Sequence, residues 1–304
     1  MEEPKKILNN EENNMESIMD NIIDEISNID KSKDTQSNKV VKKEIEKTKE
    51  KNEDSNPRKI KKQIKLSTII YSILFIIFLV LFIFSLTKII IYLRHAKATK
   101  DLTEELNQAI VVEVEEDDKP KYQINFENLK KMNPDTVGFL KVNGTDINYI
   151  VVKGNDNDFY LTHDFDKNYN SAGWVFADYR NNFEKMDRNT IIYGHNMKSG
   201  TMFSSLKNIL NDEWKNDPDN MIVTLVTESK ERQYQVFSAY IIDNTDDYTI
   251  VTFNDNEYLD FIKMIKGRSK YDFNVDVTAN DKILTLSTCG ATSKQRIVLH
   301  AKEV

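Results

Sequence analysis

An almost unbroken run of Leu, Ile, Phe and Val fills residues 66–93 and divides the chain into parts that cannot share one core. About 20 apolar residues wound as a helix span the hydrocarbon layer of a bilayer, so this run, interrupted by Lys88, reads as a transmembrane helix. A secretory signal peptide would carry a shorter apolar stretch, about 7–15 residues, nearer the start of the chain. Here 65 residues precede the run and no small-residue cleavage site follows it. The flanks set the orientation. Arg58, Lys59, Lys61, Lys62 and Lys65 crowd the first side, whereas Arg94, Lys97 and Lys100 on the second are soon diluted by Asp101, Glu104 and Glu105. The positive-inside bias therefore predicts a cytoplasmic N-terminus and a large C-terminal part outside.

Residues 1–65 are rich in Lys, Glu, Asp and Asn and poor in core-forming side chains, and they read as a mostly disordered charged tail. Within it Met15, Ile18, Met19, Ile22, Ile23 and Ile26 recur at helical spacing. That stripe is either a marginal helix or a docking surface. From Lys39 to Lys65 eleven basic residues face five acidic ones, an excess that attracts anionic lipid headgroups. Residues 94–120 read as a helical stalk, Thr99 to Val114, followed by the acidic break Glu115-Glu116-Asp117-Asp118 and Pro120. The remaining stretch, 121–304, is long enough for one domain with a real core. A net charge of −7 argues against nucleic acid as a partner, since phosphate binding needs a concentrated basic face.

Strands dominate that last stretch. Val137–Val142 and Ile147–Val152 flank Asn143-Gly144, a dipeptide suited to a tight hairpin turn. Further strand-like runs are Gly173–Ala177, Thr190–Tyr193, Met221–Thr227, Tyr234–Ile242, Ile283–Cys289 and Ile297–Ala301; helical patterns sit at Phe126–Met132, Thr201–Leu210 and Asn256–Lys266. Many strands joined by turns, with a few short helices, predict a mainly β domain that closes, or nearly closes, into a barrel.

Cys289 is the chain's one cysteine, so it has no intrachain disulfide partner. It is either a small buried hydrophobe or a nucleophile. Its place at the end of a strand, just before Gly290, favours access. If Ile283–Cys289 and Arg296–His300 form a hairpin around residues 290–295, Cys289 falls opposite Arg296, with Cβ atoms about 5 Å apart. A reactive thiol needs a base or ion-pair partner, and the four histidines can be sorted for it. His95 abuts the apolar run, and His163 lies in a polar stretch. His300 falls opposite Thr285, about 13 Å along the strand from Arg296. His195 follows the strand Thr190–Tyr193 in a glycine-containing loop, where barrels present functional side chains. A metal site built from His163, His195 and Cys289 has no close ligand pair behind it.

Thr285-Leu286-Ser287-Thr288-Cys289 followed by Arg296-Ile297-Val298 resembles the active-site signature of sortases. Tyr193-Gly194-His195-Asn196-Met197, continuing through Gly200-Thr201-Met202-Phe203-Ser204-Ser205-Leu206, resembles the histidine motif of class B sortases. A weaker likeness runs from Val137 to Lys302 and takes in Gly173-Trp174-Val175-Phe176-Ala177-Asp178-Tyr179-Arg180. The chain departs from some relatives in having Gly290-Ala291 after the cysteine and only six residues before the arginine. The resemblance implies an eight-stranded sortase barrel and a cysteine transpeptidase with Cys289 as nucleophile, His195 as acid and base, and Arg296 as carbonyl clamp. Ser287 and Tyr193 match substrate-lining positions. The implied donor is a secreted protein with a C-terminal sorting signal; the implied acceptor is an amine of peptidoglycan or of its lipid-linked precursor, at the outer face of a bacterial cell membrane. No cofactor is implied. A cysteine hydrolase releasing product to water shares every one of these residues, and a non-catalytic surface module on the same scaffold is the remaining alternative.

Overall fold

A computed structural model describes residues 66–114, 120–243, 245–290, 292 and 294–304. The tail 1–65, with its amphipathic stripe and basic excess, and the acidic break at 115–118 lie outside the described residues. The chain divides into two units, Met1–Ser72 and Ile73–Val304. The described residues of the first form the opening turns of a helix, α1 (Leu66–Asn107), which is long and apolar enough to cross a membrane. Its side chains are exposed at every described position from Ser67 to Ile91.

The helix runs without a break through the expected boundary near residue 93 and stops at Asn107, short of Val114. Ile110–Val114 is instead a strand, β1, paired antiparallel with β2 (Pro120–Ile124). The β-branched sequence Ile110-Val111-Val112 explains the change, because branching at Cβ favours extended backbone over helix.

The helix α2 (Phe126–Met132) follows as anticipated, capped by the Asn125 side chain on the Asn128 N–H at 3.1 Å. The hairpin of β3 (Thr136–Val142) and β4 (Asn148–Val152) turns through Gly144, whose φ of +67° suits glycine. Of the run Gly173–Ala177, only β5 (Phe176–Ala177) joins a ladder. Gly173 is held at φ +59°, and the buried Trp174 gives its indole N–H to the Ile150 carbonyl at 2.8 Å. Then come β6 (Asn189–Tyr193), a 3-10 turn at Ser204–Leu210 where a regular helix was expected, the short α3 (Asp212–Asn216), β7 (Ile222–Val226) and β8 (Glu231–Asp243). The last helix, α4 (Asp255–Arg268), starts with a reciprocal Asn254–Glu257 capping box and buries Tyr258, Phe261, Ile262 and Ile265 along one stripe. The chain ends in β9 (Ile283–Cys289) and β10 (Gln295–Glu303).

Among the described residues eight strands close into a barrel in the order β10-β8-β7-β3-β4-β5-β6-β9. Closure follows from two parallel joins, β4 with β5 and β6 with β9, in an otherwise antiparallel sheet. The barrel's strands carry Phe139, Ile150, Val152, Ile191, Leu286 and Val298, all at most 1% exposed. Val, Ile and Leu at alternate or consecutive positions fit strands buried on one or both faces.

His300 is fully buried on the sheet face that α4 covers, with the Phe261 ring edge-on to its imidazole. Its Nδ1 meets Thr285 Oγ1 at 2.8 Å and its Nε2 meets the Tyr240 hydroxyl at 2.9 Å. Thr285 donates in turn to Asn189 Oδ1 at 2.6 Å, so it accepts from Nδ1–H while Nε2 accepts from Tyr240. Burial, with Arg268 nearby, pushes the imidazole down to about 3 and keeps it neutral.

Candidate active site

The C-terminal ends of β6 and β9 and the start of β10 meet at one rim of the barrel. The β9–β10 register pairs Cys289 with Arg296 and Thr285 with His300, as the hairpin argument required. The parallel β6–β9 register pairs Tyr193 with Ser287. A cavity of about 570 Å³ opens there. His195, Arg296, Ser287 and Tyr193 all line it, together with Gly194 and Thr288. The backbone of Cys289 therefore directly follows a lining residue and stands across the ladder from another.

The His195 loop is fixed at both ends. Gly194 leaves no room for a side chain, since a Cβ there would come within 2.8 Å of the Phe203 ring. The His195 carbonyl accepts from the Phe203 N–H at 2.9 Å, and the Met202 N–H donates to the Tyr149 hydroxyl at 2.8 Å. Met202 takes a positive φ of 58° to make that turn. The imidazole Nε2 lies 2.8 Å from the Leu161 carbonyl. A carbonyl only accepts, so Nε2 carries a proton in this contact.

The opposite wall is made of loops. Asn157, Asp158 and Leu161 come from the segment after β4, Tyr179 and Arg180 from that after β5, and Tyr248 and Thr249 from that after β8. A buried carboxylate ties these segments together. Asp178 takes two bonds from the Arg180 guanidinium, at 2.8 and 2.7 Å, one from Asn157 Nδ2 at 3.0 Å and one from the Tyr193 hydroxyl at 3.0 Å. Arg180 reaches on to the Thr249 carbonyl at 2.9 Å. Burial alone would raise the Asp178 carboxyl, but the bonds from Arg180, Tyr193 and Asn157 outweigh it and hold it below the usual carboxylate range. Burial, followed by the Asp178 charge, pushes the Tyr193 phenol well up and keeps it a neutral donor. Ser287 Oγ and the Tyr248 hydroxyl are 2.9 Å apart and join the two walls across the cavity floor.

The residues singled out from sequence thus divide cleanly. His195, Arg296, Ser287 and Tyr193 share the cavity. His300 is structural, and His163 stacks on Phe159 with centroids 4.1 Å apart while its Nδ1 meets the Phe159 carbonyl at 2.9 Å. Sequence reading missed Asp178, Arg180, Asn157 and Tyr248 as members of the cleft. Asp178 and Arg180 lie in the segment Gly173–Arg180, but nothing in their spacing announced a buried ion pair.

The barrel and its rim have counterparts among known proteins. The family model for the sortase domain matches residues 140–304. Sortase B of Staphylococcus aureus is 38% identical over 181 residues, which cover 58% of this chain and 73% of that protein. The crystal structure of Clostridium perfringens sortase B superposes with a TM-score of 0.56 at 38% identity, covering 59% of this chain and all of that one. Sortase B of Bacillus anthracis, in complex with AAEK1, gives a TM-score of 0.61 at 32% identity over 70% of this chain and 99% of that one. The chain belongs to the sortase family, in its class B. It is accordingly a cysteine transpeptidase, of a family that acts on proteins bearing a sorting signal and on cell-wall amine acceptors.

Proposed function

We propose that Cys289, His195 and Arg296 carry the transpeptidation, with Ser287 and Tyr193 lining the substrate. The observation behind this reading is the β9–β10 register, which sets Cys289 across from Arg296 on the rim where His195 also opens into the cavity. In the first half-reaction the Cys289 sulfur attacks the carbonyl of the threonine in a C-terminal sorting signal. The C–N bond then breaks, His195 gives a proton to the departing amine, and a thioacyl-enzyme remains. In the second half, a peptidoglycan amine, free or lipid-linked, attacks the thioester. His195 takes its proton, the new amide forms and the thiolate leaves. Arg296 offers planar N–H donors to the carbonyl oxygen as negative charge gathers on it.

The same reading makes residues 66–93 a membrane span, residues 94–120 a connecting stalk and residues 121–304 an extracellular catalytic domain, with residues 1–65 in the cytoplasm of a bacterial cell. The uniformly exposed apolar surface of α1 before Tyr92 and the basic flank ahead of it support that layout.

Mass spectrometry of the adduct formed with sorting-signal peptides, with and without an added amine, tests the reaction. Wild type is expected to gain the mass of the acyl fragment and to pass it to the amine. Cys289→Ala should form no adduct, and His195→Ala almost none. Wild-type turnover in either variant removes that residue from its role; acyl transfer to water alone, unaffected by amine, points to a hydrolase instead.

A further inference from the structure

The burial pattern of α1 changes beyond Ile91. His95, Ala96, Thr99, Leu102, Thr103 and Leu106 are withdrawn from solvent, while the residues between them stay largely exposed. Spacings of three and four place these six on one helical face. Leu106 joins the apolar core and Leu102 packs against it. Two polar members of the face, Thr99 and His95, meet one short segment of the domain, while Thr103 donates back to the Thr99 carbonyl at 2.7 Å. Thr99, completely buried, accepts from Asn170 Nδ2 at 3.1 Å. His95 Nδ1 accepts from the Ser171 N–H at 3.2 Å and lies 3.0 Å from its hydroxyl, with the ring edge-on to Tyr169.

That segment is bonded to the loop wall of the cleft. The Asn170 N–H donates to the Thr162 carbonyl at 2.9 Å, a bridge joins His163 to Tyr169, and the Trp174 N–H donates to the Tyr160 carbonyl at 2.9 Å. The turn so gripped, Phe159–Leu161, is the one whose Leu161 carbonyl holds His195 Nε2. Thr99 to Asn170, the backbone of 170 to 162, and Leu161 to His195 form one short polar relay from α1 to the imidazole.

We infer that Thr99, seconded by His95, is a positioning residue for His195, so that the membrane-proximal half of α1 belongs to the catalytic apparatus. The inference rests on the proposed role of His195 as acid and base. Seating α1 on residues 169–171 fixes the turn, the turn fixes the Leu161 carbonyl, and the carbonyl holds the imidazole through Nε2. A helix that merely props up the domain would contribute stability but leave the chemical step alone.

The test uses the full chain in detergent micelles, with steady-state kinetics on a sorting-signal peptide and a thermal unfolding scan for each variant. Thr99→Val keeps the shape but removes the acceptor; it should lower kcat about fivefold, the scale of one lost buried hydrogen bond, with KM little changed. Thr99→Ser restores the hydroxyl and should restore kcat. An unchanged kcat in Thr99→Val overturns the inference, as does a loss that serine fails to rescue or that only tracks a lower unfolding temperature. His195→Ala run alongside separates the two layers. If it turns over like wild type, the catalytic assignment falls and this inference with it. A wild-type-like Thr99→Val beside an inactive His195→Ala defeats the inference alone.

Discussion

The two walls of the cleft are held by different physics. On one side Tyr193, Ser287, Thr288 and Arg296 sit on or beside β6, β9 and β10, whose ladders set each residue's position through backbone bonds. On the other, Asn157, Arg180 and Thr249 come from three loops gathered by one buried carboxylate, Asp178. A ladder places a side chain whatever that side chain is, so residues there are free to serve chemistry. The loop wall keeps its shape only while its side chains hold one another.

The contrast can be broken or sharpened by substitution. The largest effect is expected for Arg296→Lys on the ladder wall. A point-charge ammonium cannot reproduce the planar fork, and the rate of thioacyl formation should fall by about a hundredfold or more while the unfolding temperature stays put. On the loop wall, Asp178→Ala should do the reverse. It leaves Asn157 and the Tyr193 hydroxyl without their acceptor and Arg180 without its partner. Because Arg180 can turn to solvent, the expected loss is about 2 kcal/mol in denaturant unfolding, below the range for a fully buried broken pair. Should Asp178→Ala silence the chemistry as fully as Arg296→Lys without destabilising the fold, the division between the walls is wrong. Gly194→Ala comes next. Its methyl would press on the Phe203 ring, costing about 1 kcal/mol and turning the His195 loop, so activity should drop more than stability does.

The smallest effect at neutral pH concerns acid. The folded His300 is held at about 3, below the ordinary unfolded value near 6.5, so its contribution is complete above that value and is lost as pH falls from about 6.5 towards 3. Asp178, also depressed, adds a loss only below the ordinary carboxylate range, where the unfolded chain takes up the proton first. Urea unfolding at pH 7 and at pH 5 should therefore show a drop in wild type that His300→Gln flattens and Asp178→Asn does not.

Which parts were legible in the sequence follows the same division. The hairpin of β9 and β10 could be laid out residue by residue, because alternation and loop length fix an antiparallel register. The closure of the barrel could be anticipated, and so could α2 and α4 from their apolar spacing. The strand Ile110–Val114 reads as helix from sequence because its partner lies beyond the acidic stretch that reads as a break. The Asp178 cluster was hidden for a deeper reason. Arg180 is two residues from Asp178, but Tyr193 and Asn157 stand 15 and 21 residues away from it, and no periodicity marks side chains that find each other only after the strands are in place.

One seam of the barrel differs from the rest. β5 contributes two residues, and it meets β4 through the single pair Val152–Phe176, helped by the Val152 N–H on the Val175 carbonyl at 3.3 Å. Phe176 also lines the cleft. The stave with the fewest rungs is thus the one beside the mouth, and breathing of the closed sheet will begin there. The long β8–β10 ladder at the far side has no such weak point, and the amide of Val152 should exchange its hydrogen well before those of Val298 and Leu299.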